Sequence, residues 1–448
     1  MSQATLVART QAFLDVIAAT NPVLKGMISV NPAALADAAA IDRAAVHGNL
    51  PGAGLVVSLK DNIDTAGLRT TMGSAFFKDH VPTSDAPVTE RLRRAGCVII
   101  GKNNLHEFAF GGTTQNPHHG RGRNPWNPDA IPGGSSGGSG SSVAAGMCDV
   151  SLGTDTGGSI RIPAALNGVA GLRPTHGAVP NTGCYPVSAA YDTIGPLART
   201  VADVARVHEI IAGPDAGDDC TGNVPIQSWA NLYARGVKGL RIGVPESWAL
   251  TDLDPDVLRL VKAAIGVLRE LGAIVTNIDL PEAPDAQRFL MPMVHADAAA
   301  VHADHLRDAP GTFGADVLDR LTLGKDLTSR EYADSMRFKE RWLRRLEGTF
   351  TDVDVILTPT VPMTAPMVAD SAKTLATTRG ISRFTYAWAL AGTPALSVPV
   401  GFASNGLPAA MQLVAPRWHD ARVLALGAHY QTVTDHHLRR PTLDFAKT

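Results

Sequence analysis

The chain has 448 residues, 45% hydrophobic and 18% charged, with a formal net charge of −2 at pH 7. That length supports one large core or two domains, and a near-zero charge lacks the basic footprint of a nucleic-acid binder. No apolar run reaches the roughly 18 residues needed to cross a membrane.

The beginning Met1-Ser2-Gln3-Ala4 carries no basic targeting segment. Apolar positions Leu6, Phe13, Leu14, Val16 and Ile17 predict an amphipathic helix over 6–19. A strand is expected at 55–59, then a helix at 86–95 with Glu90, Arg91, Arg93 and Arg94 outward, then a strand at 98–100. Residues 143–145 suggest a helix and 150–152 a strand. Residues 213–227 are polar and turn-rich and read as a long surface loop. Further strands are expected at 240–244, 274–278, 353–357, 395–400 and 409–413. This alternation predicts a layered α/β architecture. Four cysteines, Cys97, Cys148, Cys184 and Cys220, are scattered without metal spacing, which fits reduced thiols and a cytoplasmic protein.

The chemistry concentrates between residues 132 and 173. Two glycine-serine turns, Gly133-Gly134-Ser135-Ser136-Gly137-Gly138 and Thr156-Gly157-Gly158-Ser159, are separated by a short apolar segment. Glycine lets a ligand approach main-chain N–H groups, so such turns suggest a site of backbone donors and small hydroxyls. A serine nucleophile needs a base, and a lysine serves only when neutral. Lys60 follows the apolar run Val56-Val57-Ser58-Leu59, where burial would lower its pKa.

Other chemistries fit less well. Gly133-Gly134-Ser135-Ser136-Gly137 also matches the nucleophile elbow of Ser-His-Asp hydrolases, but the loop-like Asn124-Pro125-Trp126-Asn127-Pro128-Asp129 precedes it where a strand is required. No phosphate-binding loop occurs. His302 and His305, or His118 and His119, lack the spacing of a zinc site, so neither a metal nor a cofactor is expected.

With these motifs in order, the chain resembles the amidase signature family of serine hydrolases. The matching pieces are Lys60-Asp61-Asn62, residues 132–138, residues 153–163, Gly171-Leu172-Arg173-Pro174-Thr175, residues 192–200, Thr358-Pro359-Thr360-Val361-Pro362 and residues 390–395. The resemblance implies a single catalytic domain over 1–448, built on a large mixed, twisted β-sheet with helices on both sides. Residues of about 245–350 would form a variable helical cap within it. By the same resemblance Ser159 is the nucleophile, Ser135 the bridging serine on a cis peptide bond, and Lys60 the base. The backbone of Thr156, Gly157, Gly158 and Ser159 would form the oxyanion hole. Ser136, Asp155 and Arg161 would support the loop. Gly111, Gly112 and Thr113 would lie beside the acyl pocket, with Tyr185 and Tyr386 as further wall residues.

Two functions then compete. One is a free-standing hydrolase of a small-molecule amide, working alone or as a homodimer, with no nucleic-acid or membrane partner. The other is the glutamine-hydrolysing A subunit of a tRNA-dependent amidotransferase, which the segments 107–111 and 314–324 also resemble. A glutamine site must hold a carboxylate and an ammonium. The positions matched to the arginine and aspartate of that amidotransferase hold Lys339 and Ser382. Ser382 cannot neutralise an ammonium, which points to an amide without an amino-acid head group.

Overall fold

The computed structural model describes residues 5–45, 50–222, 227–369 and 374–444. Its frame is an eleven-stranded sheet. In chain order the strands are β1 (Met27–Val30), β2 (Val56–Lys60), β3 (Val98–Asn103), β4 (Val150–Thr154), β5 (Ala170–Arg173) and β6 (Ile194–Ala198). They continue with β7 (Arg241–Val244), β8 (Ile274–Asn277), β9 (Val355–Pro359), β10 (Ala395–Phe402) and β11 (Pro408–Val414). Across the sheet the order is β1-β3-β2-β4-β6-β5-β10-β11-β9-β7-β8. Strands β3, β2 and β4 run parallel, as do β9, β7 and β8, and antiparallel pairs join the two sets. The sheet is therefore mixed, with helices covering both faces.

Strand β2 shows why the site lies where it does. Side chains alternate across a strand. Val57 and Leu59 enter one core with Val88 and Leu92 of the helix Pro87–Arg94 and Val204 and Val207 of the helix Val201–Ile211. Val56 enters a second core on the other face, with Val143 and Ala144. Period two then sends Ser58 and Lys60 to the face of Val56, where the serine-rich helix Gly137–Ala145 packs.

That helix is longer than its sequence predicts. Glycine and serine are poor helix formers, so only 143–145 stood out. The structure uses the missing side chains for close approach: a Cβ on Gly138 would lie 2.3 Å from the Asn104 carbonyl oxygen. The N-terminal helix also runs further than expected, Leu6–Leu24, to a left-handed Lys25. Three strands escaped the sequence reading. β1 has four residues at the sheet edge, and β5 (AGLR) and β6 (IGPLA) break their apolar pattern with glycine, proline or arginine. Of the predicted loop 213–227, positions 223–226 lie outside the described residues. All four cysteines are free, with Cys97 and Cys148 buried.

A second buried lysine, Lys102 on β3, ties the turn after β2 in place. Its Nζ donates to the Ile63 carbonyl, to Thr70 Oγ1 at 2.8 Å and to Thr65 Oγ1 at 3.2 Å, and lies 3.9 Å from Asp61 Oδ1. Burial pushes its pKa down to about 8 against the opposing pull of Asp61. Lys102→Met would strand the buried Asp61 without a cation, a change that costs about 3–5 kcal/mol. A lowered urea-unfolding midpoint for this variant, with far-UV dichroism unchanged in buffer, is the expected result.

Candidate active site

Lys60 closes β2 and is completely buried. Its Nζ lies 2.7 Å from Ser135 Oγ and 2.6 Å from Thr154 Oγ1, both within hydrogen-bond range. Unlike Lys102, it has no carboxylate within ion-pair distance among the described residues. Burial lowers its pKa to about 7, although Cys184, Asp192 and Asp155 pull the other way. A neutral amine is therefore accessible near neutral pH.

Ser135 follows a cis peptide bond from Gly134. Its carbonyl accepts from the His106 N–H at 3.0 Å and from Thr114 Oγ1 at 3.3 Å. Gly134 must be glycine, because a Cβ there would lie 2.7 Å from the backbone of Gly112 and Thr113. Ser136 turns inward, donating from Oγ to the Thr154 carbonyl at 3.1 Å and accepting the Thr154 N–H at 3.2 Å. The residue that shares Lys60 with Ser135 is thus fixed by Ser135's own neighbour.

The second turn carries Ser159 at the end of a loop that leads into the helix Arg161–Asn167. The Ser136 N–H donates to the Ser159 carbonyl at 3.2 Å, which clamps the two turns together. Ser159 is partly exposed and faces the cavity, and its Oγ has no hydrogen bond among the described residues. The backbone N–H groups of Thr156, Gly157, Gly158 and Ser159 likewise have no partner among the described residues, and all four residues line the same cavity. Converging free donors of this kind are what a developing oxyanion requires.

Asp155 holds the loop from below and is fully buried, so a surface ion pair is excluded. Arg161 donates to its two oxygens, Nε to Oδ2 at 3.0 Å and Nη2 to Oδ1 at 2.9 Å. Arg173 Nη1 reaches Oδ1 at 3.0 Å, and the Ile160 N–H reaches Oδ2 at 3.2 Å. Burial opposes ionisation of Asp155, but the two guanidiniums outweigh it and hold the carboxyl far below its usual range. Arg161 continues to the Thr385 carbonyl at 2.9 Å and Gln412 Oε1 at 2.7 Å, joining the loop to the far half of the sheet.

The cavity is partly open to solvent. Of the residues that the resemblance implies for the site, Gly111, Gly112, Thr156, Gly157, Gly158, Ser159 and Tyr386 line it. Two expectations are corrected. Thr113 does not line the cavity, and its hydroxyl pairs with His106 Nδ1 at 3.4 Å. Tyr185 packs instead against the rings of Phe77, Phe108 and His302. Lys339 is held over the Tyr191 ring, 4.6 Å from its centroid, and is absent from the cavity wall. Trp388, beside Tyr386 in the sequence, is fully buried core.

Four residues of the site went unread. Thr154 and Arg173 stand inside quoted motifs but carry no signal of their contacts. Asp192 accepts from the Thr156 hydroxyl and from the N–H groups of Val187 and Ser188 at 2.8 and 3.0 Å. Arg320 comes from the helix Ala315–Lys325, 161 residues beyond Ser159, and lines the cavity while only 2% exposed. Among the described residues no group of three His, Cys, Asp or Glu side chains could hold a metal ion, and no helix is long and apolar enough to cross a membrane.

Comparison with known proteins agrees with this geometry. A family model described as Amidase matches residues 8–424. The chain is 37% identical to the A subunit of the glutamyl-tRNA(Gln) amidotransferase of Synechococcus sp. (strain RCC307), covering 98% of this chain and 96% of that protein. It superposes on the solved structure of the corresponding protein from Thermotoga maritima with a TM-score of 0.84 and 32% identity, over 99% of this chain and 96% of that one. A TM-score of 0.91, with 31% identity over 98% and 97% of the two chains, relates it to a structure described as an unexpected vestigial protein complex that reveals the evolutionary origins of an s-triazine catabolic enzyme.

Removing the charge of Asp155 would leave two buried guanidiniums without their anion. Asp155→Asn is expected to cost about 3–5 kcal/mol of stability, read as a drop in the urea midpoint. Activity should fall further than the loss of folded protein accounts for, because the loop bearing Ser159 loses its anchor.

Proposed function

The chain belongs to the amidase signature family, whose members hydrolyse C–N bonds, and on that premise we propose that it cleaves a small-molecule primary amide through an acyl-enzyme on Ser159. The observation that carries this reading is the Lys60–Ser135 contact at 2.7 Å, placed beside a cavity where Ser159 and four free backbone donors converge. On this reading residues 245–350 are a variable cap within one catalytic domain.

Neutral Lys60 takes a proton from Ser135, which takes one from Ser159 as its Oγ attacks the amide carbonyl carbon. The N–H groups of residues 156–159 receive the oxyanion. As the tetrahedral intermediate collapses, the proton returns through Ser135 to the leaving nitrogen, and ammonia departs. Water then attacks the Ser159 ester by the same relay, giving the free acid and restoring the serine. Thr154 holds the lysine toward Ser135, and the reaction needs no metal or cofactor.

A second reading, a glutamine-hydrolysing component that works with partner chains, is favoured by the sequence relatives, which carry that name. The cavity favours the first. Ser382, which takes the place of the head-group aspartate, spends its hydroxyl on the Thr378 carbonyl and the Gln287 amide, and no acidic side chain lines the wall among the described residues.

Ser159→Ala is expected to lose nearly all turnover, and chelator-treated enzyme to keep it; chelator inhibition reversed by zinc would contradict the proposal. The base must be neutral, and burial lowers the Lys60 pKa, so kcat/KM should rise with pH through about 7 and fall about tenfold per unit below it. Lys60→Arg, which cannot deprotonate, should be inactive at every pH, and turnover at a wild-type rate would refute the relay. For the purified chain alone, kcat/KM for glutamine is expected to be lower than for an amide lacking the ammonium group. A preference for glutamine that strengthens when a partner chain is added would establish the second reading instead.

A further inference from the structure

The cavity wall holds a cation that the hydrolytic steps do not use. Arg320 is buried, yet only two edges of its guanidinium are occupied. Nε donates to Asp316 Oδ1 at 3.3 Å and Nη2 to Thr378 Oγ1 at 3.3 Å. Nη1 has no hydrogen bond among the described residues, although the side chain lines the cavity. A buried guanidinium that lines a cavity with one nitrogen unspent can receive an anion.

The frame around Arg320 is rigid and continuous with the reacting centre. Asp316 also pairs with His106 Nε2 at 2.8 Å and with the Thr374 hydroxyl. Burial opposes its ionisation, but His106, Arg320 and Thr374 together hold the carboxyl well below its usual range. Thr378 Oγ1 accepts the Gly112 N–H at 3.1 Å, and Gly112 abuts Gly134, whose peptide bond leads to Ser135. Displacement of Arg320 would therefore disturb the wall beside the bridging serine.

Asp316 is the one carboxylate paired with this cation among the described residues, and it does not line the cavity. No aspartate or glutamate lines the cavity among the described residues. Next to it, His295 has an unpartnered Nε2, and burial, Arg320 and Arg379 push its imidazole down to about 4, so it stays neutral. An ammonium entering here would meet the Arg320 guanidinium on the wall and no carboxylate among the lining residues.

We propose, on the serine-hydrolase reading above, that the substrate is a small primary amide whose acyl chain ends in a carboxylate and bears no ammonium, with Arg320 as the residue that binds the carboxylate.

Glutaramate, which is glutamine without its amino group, separates the contributions. Against wild-type enzyme, kcat/KM is expected to be about 100-fold higher for glutaramate than for pentanamide, the scale of a hydrogen bond to a charged group. It should also exceed that for glutamine. In Arg320→Gln the ratio of glutaramate to pentanamide should fall to about one, mainly through KM, and Arg320→Lys should regain part of it. The proposal is overturned if wild-type enzyme favours pentanamide or glutamine, a comparison that needs no variant. It is equally overturned if folded Arg320→Gln keeps the preference. Phenylmethylsulfonyl fluoride, with the adduct located by mass, tests the underlying reading separately. A label on Ser159 without a carboxylate preference overturns this inference alone. Absence of the label overturns the serine reading and this inference with it.

Discussion

Everything at the site depends on a lysine removed from water with only hydroxyl oxygens for company. An ammonium in that position would lose its hydration and gain no carboxylate within ion-pair distance among the described residues, so burial shifts Lys60 toward the amine. Lys102, one strand away and equally buried, shows the contrast. It has Asp61 at 3.9 Å and three oxygen acceptors, and it serves to hold a turn. Two lysines at the same end of neighbouring parallel strands thus take different roles through their partners alone.

Keeping Lys60 dry places demands on everything around it. The serine-rich helix must come close to the sheet, and its glycines permit that. The two turns must be locked to each other, which Ser136 accomplishes through Thr154 and through the Ser159 carbonyl. The loop bearing Ser159 must keep its N–H groups unspent, and it can do so because its fold is maintained by side chains instead: Asp155 with Arg161 and Arg173, and Asp192 with Thr156. A buried carboxylate between two arginines is costly to assemble and costly to break, which suits it to fixing one geometry.

The far wall of the cavity follows a separate logic. Met291 and Val294 come from the helix Ala286–Val301, Arg320 from Ala315–Lys325, Thr378 from Thr374–Ile381 and Tyr386 from Tyr386–Ala391. Three of these helices share one core with Ile356, Ala395 and Val414 of the sheet, while Ile381 of the helix Thr374–Ile381 packs in another. The cavity is thus lined by two separate stretches of chain, residues 109–187 and residues 291–386.

The sequence by itself determined the α/β class and most of the strands, because those signals are local, and its resemblance to a known family singled out Lys60, Ser135 and Ser159. Apolar strands alternate with helices at their own periods, and glycine-serine turns mark places where a ligand can approach the backbone. It also placed Asp155 and Arg161 beside the loop. Only the tertiary structure decided that Thr154 shares the lysine, that Arg173 completes the pair on Asp155, and that the cavity's cation is Arg320, with Lys339 turned to Tyr191. Position 320 shows nothing in its neighbourhood, Asp319-Arg320-Leu321, that distinguishes it from any arginine on a helix. What sets it apart is burial against Phe110 and contact with Thr378 and Asp316, partners brought together by packing between segments up to 210 residues apart. Periodicity and short motifs report which face of an element is buried; which distant side chain it then meets is decided by how the layers stack.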